Sequence, residues 1–188
     1  DLRKKLLLVE KILQGVKCLH LFGWAHRDLH AGNVLVDLLE SRNVKIIDFD
    51  LSKKGGDAGD SIWGAGTLAP ERFDRDEGGT VSGQALDIWA FGDMVYKLLV
   101  GVDNPGKMVN HDLARYPAEL DRETRDMLAR TLAREPRERP TAKDIYRCVR
   151  SWFQKEIFIE SDMLHQRFNA LMYYLSQGVF FNDAAATE

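Results

Sequence analysis

The stretch from Ala85 to Val100 restricts this chain more than any other, because it is apolar almost all the way round a helix. A surface helix carries one apolar stripe, so a helix apolar on every side is expected at the centre of a domain, enclosed by other elements. Asp87, Asp93 and Lys97 interrupt the tract, and nowhere does the chain offer the ~18 consecutive apolar residues of a bilayer span. A sequence of 188 residues, 45% hydrophobic and 29% charged, can bury one such core and is too short for two sizeable domains.

Other elements are expected to wrap this helix. Leu6, Val9, Leu13, Val16 and His20 step by three and four, which predicts an amphipathic helix over about 2–21. Val34–Val36 and Val44–Ile47 are short β-branched runs around a polar turn and read as a hairpin. Ser52 to Gly66 is glycine-rich, acidic and without periodicity, so a long functional loop is expected there. Further helices are predicted over 121–134 and after Thr141, which is placed to cap the stripe Ile145, Cys148, Val149, Trp152 and Phe153. A last, separate helix carries Leu164, Phe168, Leu171 and Leu175.

Charge and cysteine content exclude several roles. A formal net charge of −3 gives no long-range attraction to nucleic acid or an anionic membrane, so neither is expected as a partner. Cys18 and Cys148 form no metal-binding motif and no disulfide framework, and the first residues contain no signal-peptide cleavage site. A cytoplasmic location follows as the expectation.

The chemistry is concentrated in two short runs. His26-Arg27-Asp28-Leu29-His30-Ala31-Gly32-Asn33 lies between the first helix and the first strand, and Ile47-Asp48-Phe49-Asp50 follows the second strand. Two carboxylates and an amide at the mouth of a hairpin are oxygen ligands of the kind Mg²⁺ prefers, and no thiolate set suits zinc. One carboxylate beside an arginine can stay ionised and accept a proton from a hydroxyl, while the other, with the asparagine, can hold a metal against phosphate oxygens.

These runs resemble the catalytic loop and the metal-binding Asp-Phe-Gly turn of eukaryotic-type protein kinases. The resemblance continues in order through Ala69-Pro70-Glu71, similar to the end of an activation segment. Asp87-Ile88-Trp89-Ala90-Phe91-Gly92 is similar to a central helix, and Arg139-Pro140-Thr141 to a late arginine motif. It covers about residues 2–156. It implies an α+β fold, a protein-kinase-like C-lobe that is mainly helical with a small catalytic-loop hairpin, with 157–188 as a helical extension and tail. By the same resemblance the catalytic residues are Asp28, His26 and Arg27, with Asp28 taking the proton of the substrate hydroxyl. Asn33 and Asp48 hold Mg²⁺ on the phosphates of ATP. His26 ties the loop to the Asp-Phe turn, Asp87 accepts backbone N–H groups of that loop, and Glu71 pairs with Arg139. Arg27 resembles the arginine that reads activation-loop phosphorylation, with Ser61 the first candidate phosphosite and Ser52 the second.

The implied activity is phosphoryl transfer from ATP to a serine or threonine, less readily a tyrosine, of a protein substrate. Small-molecule phosphotransferases share the Asp-xxxx-Asn loop, and His30 departs from the lysine usual in Ser/Thr kinases; the motifs at 69–71, 87–92 and 139 favour the protein kinases. Asp50 replaces the third-position glycine, where a residue with restricted backbone angles is expected to limit the turn. Nothing in the sequence resembles a glycine-rich phosphate loop or a strand lysine. An N-lobe is therefore expected upstream, this chain is read as a fragment with doubtful activity alone, and the alternative is a non-catalytic, pseudokinase-like interaction module.

Overall fold

The computed structural model describes residues 1–37, 43–55, 69–72, 82–101 and 113–176, with side chains along the last helix up to 157 and at 159, 161–166 and 169. In chain order the elements are α1 (Leu2–Leu21), β1 (Trp24–Ala25), β2 (Val34–Val36), β3 (Val44–Ile46), β4 (Lys53–Lys54), α2 (Gly83–Val100), α3 (Arg122–Arg130) and α4 (Ala142–Ser176), joined by short 3-10 turns. The chain divides into two compact units, Asp1–Arg150 and Ser151–Glu188.

Within the first unit α2 is the buried centre that its composition requires. Leu86, Ile88, Trp89, Phe91, Val95, Tyr96 and Leu99 are all buried, as are Ala90 and Gly92. Ser82 caps its start by accepting the Ala85 N–H at 3.3 Å, and Gly101 ends it at φ 84°, the left-handed conformation that glycine takes without a Cβ clash. Gly92 has a different reason to be glycine: a Cβ there would collide with the Thr131 side chain and come within 3.0 Å of Leu132. The turn after α3 lies flat against α2 because nothing projects between them.

Helix α1 packs its buried stripe of Leu6, Val9, Ile12, Leu13 and Val16 on one side, and Asp1 caps its first turn through the Arg3 N–H at 3.0 Å. The expected hairpin is present, with Val34 opposite Ile46 and Val36 opposite Val44 in an antiparallel register. A second ribbon is not legible in the sequence. Trp24–Ala25 pairs antiparallel with Lys53–Lys54, so two residues assigned to the loop over 52–66 are strand, and residues 56–66 lie outside the described set.

Two helix expectations need correction. The helix predicted over 121–134 stops at Arg130: the N–H groups of Thr131, Leu132 and Ala133 bond to carbonyls three residues back, at 3.1–3.2 Å, and the chain continues in turns. Downstream, the two helices expected after Thr141 are one continuous α4. The segment Gln154-Lys155-Glu156 and its neighbours consists largely of good helix formers with no Gly or Pro to end the run. Thr141 does cap α4, accepting the Asp144 N–H at 3.2 Å while donating to the Asp144 carboxylate at 2.6 Å. Ile145, Cys148 and Val149 are buried. In the second unit Trp152 and Phe153 are buried and meet edge to face, centroids 5.2 Å apart. Leu164 is exposed, and the side chains of Phe168, Leu171 and Leu175 lie outside the described residues. No helix among the described residues is long and apolar enough to cross a membrane.

Candidate active site

Asp87 organises the site from below. Its carboxylate is 1% exposed and accepts three hydrogen bonds: from the His26 N–H at 2.7 Å and the His20 ring at 2.9 Å on one oxygen, and from the Arg27 N–H at 2.8 Å on the other. A buried carboxylate at the start of an apolar helix would be costly alone, and these donors replace the water it gives up. They also fix the two residues that precede Asp28.

Arg27 sits at φ 71° and Asp48 at φ 63°, and no other non-glycine residue among those described has a positive φ. Aspartate visits this region readily, but for arginine the conformation costs about 1–3 kcal/mol and persists only where the surroundings impose it. Here the imposition is visible, since the Arg27 N–H is anchored on Asp87 and its side chain is buried. The guanidinium Nε has no hydrogen-bond partner among the described residues. Asp50 is exposed and, unlike Asp48, has no positive φ.

Asp28 and Asn33 meet across the loop. The Asn33 side-chain N–H₂ donates to the Asp28 carbonyl at 2.9 Å and reaches the Asp28 carboxylate at 3.5 Å, which leaves its amide oxygen as the group a cation could take. The Asn33 carbonyl accepts the Ile47 N–H at 3.0 Å, one residue from Asp48. His26 closes the circuit. Its Nε2 donates to the Ile47 carbonyl at 2.9 Å, its Nδ1 receives the Asp28 N–H at 3.4 Å, and its ring lies 5.0 Å from that of Phe49. Both bonds are satisfied by the neutral tautomer protonated on Nε2. His30 caps the short 3-10 turn by accepting the Gly32 N–H at 3.1 Å, which directs its other nitrogen towards Asp28, 3.7 Å away.

Oxygen donors from Asn33 and Asp48 fit Mg²⁺, which takes one or two protein ligands and completes its shell with water and phosphate. Among the described residues no group of three or more His, Cys, Asp or Glu converges, so a cation here would depend on such outside oxygens.

Glu71 and Arg139 are brought together from 68 positions apart. The contact is a fork, with both guanidinium NH groups 2.6 Å from the two carboxylate oxygens. Arg139 also donates to the Ala133, Ala85 and Arg134 carbonyls at 2.9, 2.9 and 3.2 Å and lies over the Trp89 ring. The pair thus pins the residues around Pro70 to both the start of α2 and the turn before α4. Ser61 lies outside the described residues. His20 was missed in the sequence as a partner of the site because its position completes the apolar stripe of α1; a contact across 67 residues leaves no local signal.

A mostly helical unit with few strands, carrying an Asp and Asn loop against an Asp-Phe turn, has a kinase-like fold. A family model of the protein kinase domain matches residues 3–153, and the chain belongs to that family. Among curated relatives, it is 32% identical over 145 residues to sperm motility kinase Z of Mus musculus, covering 72% of this chain and 28% of that protein. It is 42% identical over 98 residues to mitogen-activated protein kinase kinase 9 of Arabidopsis thaliana, covering 49% of this chain and 31% of the relative. With serine/threonine-protein kinase SRK2J of Arabidopsis thaliana it shares 28% identity over 166 residues, 79% of this chain and 47% of the relative. The chain therefore spans less than half the length of each of these proteins. Members of the family generally use ATP and Mg²⁺.

Proposed function

We propose that residues 1–156 form the C-lobe of a protein kinase that phosphorylates serine or threonine on a protein substrate, with 157–188 as a C-terminal extension. What carries this reading is the Asp28–Asn33 contact, held on a loop whose two preceding N–H groups are anchored on Asp87. Asp28 orients the acceptor hydroxyl and takes its proton on a carboxylate oxygen. Asn33 and Asp48 are the residues that would hold Mg²⁺ and, through it, the nucleotide. Mg-ATP, when bound, supplies the phosphoryl group and neutralises charge on its oxygens. His26 and Asp87 are positioning residues, Glu71 and Arg139 anchor the end of the activation segment, and Arg27 offers its guanidinium to a phosphate on that segment, with Ser61 the candidate acceptor.

The glycine-rich loop and strand lysine that cover the nucleotide have no counterpart in these 188 residues, so we place them in an N-lobe encoded outside this sequence. The name of one plant relative, serine/threonine-protein kinase SRK2J, supports the choice of acceptor. The test uses the full-length protein with both lobes and follows labelled phosphate from ATP to serine, threonine and tyrosine peptides. Asp28→Asn is expected to lower kcat by about 10²–10⁴ with nucleotide affinity within about twofold of wild type. A fully active Asp28→Asn protein would remove the proton-accepting role, and labelling of tyrosine peptides alone would overturn the acceptor assignment.

A further inference from the structure

A hollow of about 620 Å³ opens in the first unit where the last turn of α1, the first turns of α2 and the start of α4 meet. Its size is within the range of small-molecule ligand sites, roughly 300–1,000 Å³, ample for a single large side chain. Ala85, Ile88, Pro140 and Ala142 give it an apolar floor. Its charge runs against that of the chain. Among the described residues that line it are Lys17, Arg139, Lys143 and Arg147 and no aspartate or glutamate, although the formal net charge is −3.

Not all of that positive charge is available. Arg139 is neutralised by Glu71, whereas Arg147, 3.9 Å from Asp144 in a pair well exposed to water, keeps most of its charge for a ligand. Lys17 lies over the Tyr146 ring at 3.8 Å, which sets its ammonium on the wall of the hollow, and Lys143 is exposed at the rim. The first backbone N–H groups of α4 add partial positive charge on the same side. A small anion would use this charge and leave the apolar part unused. That part continues outward, because Leu21, which lines the hollow, is 78% exposed.

We propose that this hollow docks an acidic linear segment of a partner protein. One large aliphatic or aromatic side chain enters the cavity, and flanking Asp or Glu residues meet Lys17, Lys143 and Arg147. The site is separate from the phosphate-transfer residues, so it stands whether or not the chain transfers phosphate.

Fluorescence anisotropy with the full-length protein tests it, using a short labelled peptide with one central leucine flanked by glutamates. Two controls replace the glutamates by glutamine or the leucine by alanine. The acidic peptide is expected to bind with a micromolar Kd that weakens as salt is raised. The double variant Lys143→Glu/Arg147→Glu should weaken it by about tenfold or more, and so should either control peptide. Circular dichroism checks that the variant folds; if its melting midpoint falls, Lys17→Gln provides a second reading in the same direction. Equal binding by the glutamine peptide, equal binding by a folded charge-reversed variant, or no binding of the acidic peptide overturns the proposal. A self-association removed by the same reversal, without peptide binding, assigns the hollow to a second copy of the chain and overturns it too.

Discussion

Asp87→Asn tests whether one buried carboxylate holds the site in shape. The substitution conserves volume and exchanges one oxygen for an NH₂ group. In either orientation of the amide, that NH₂ faces a backbone N–H, of His26 on one side or Arg27 on the other. The orientation that keeps the His26 and His20 bonds sacrifices the Arg27 N–H. A hydrogen bond to a charged acceptor is worth about 1.5–3 kcal/mol, and leaving the buried donor unsatisfied costs about 1–3 kcal/mol; the two overlap, so about 3 kcal/mol is expected. Arg27 at φ 71° has strain to release once that bond is gone, and Asp28 moves with it. Native-state hydrogen exchange at the Arg27 amide should accelerate by about 100-fold, as ~1.4 kcal/mol corresponds to a factor of ten. The urea midpoint should fall by about 1–3 M for a denaturant slope of about 1–3 kcal/mol per M. Exchange at Arg27 within about threefold of wild type, together with an unmoved midpoint, would refute the reasoning.

Two further substitutions probe stability. Arg139→Met strands the Glu71 carboxylate, 13% exposed, and should cost about 3–5 kcal/mol in denaturant unfolding; adding Glu71→Gln should recover part of it, and strict additivity would show that the pair is not coupled. Tyr116 is buried, its hydroxyl has no hydrogen-bond partner among the described residues, and burial, with Tyr96 nearby, raises its pKa above the ordinary tyrosine value. The unfolded chain then releases this proton first, so the stability contribution is complete below about pH 10 and is lost as pH rises above it. Tyr116→Phe should flatten the alkaline limb of the stability curve and raise stability by about 1 kcal/mol at neutral pH, both read from thermal melts.

Local chemistry alone made much of this protein legible. The all-round apolar composition of 85–100 could only be a buried helix, the stepped stripe of α1 could only be amphipathic, and Thr141 stood where a helix cap belongs. Those features are written in periodicity and in side chains that bond within three or four residues. The site residues were legible as a set of types in order, and the family match over 3–153 has the same origin. Tertiary structure decided whatever depends on partners far along the chain. The ribbon of Trp24–Ala25 with Lys53–Lys54 is two residues long on each strand, too short to carry a period. His20 read as one more residue of the α1 stripe and became a ligand of Asp87 only when α1 and α2 packed. The left-handed backbone of Arg27 and Asp48 was not legible either, because the hydrogen bonds around these two positions join residues far apart in the chain. Composition determined which residues are buried, and the pairing of distant backbone groups determined which of them face the site.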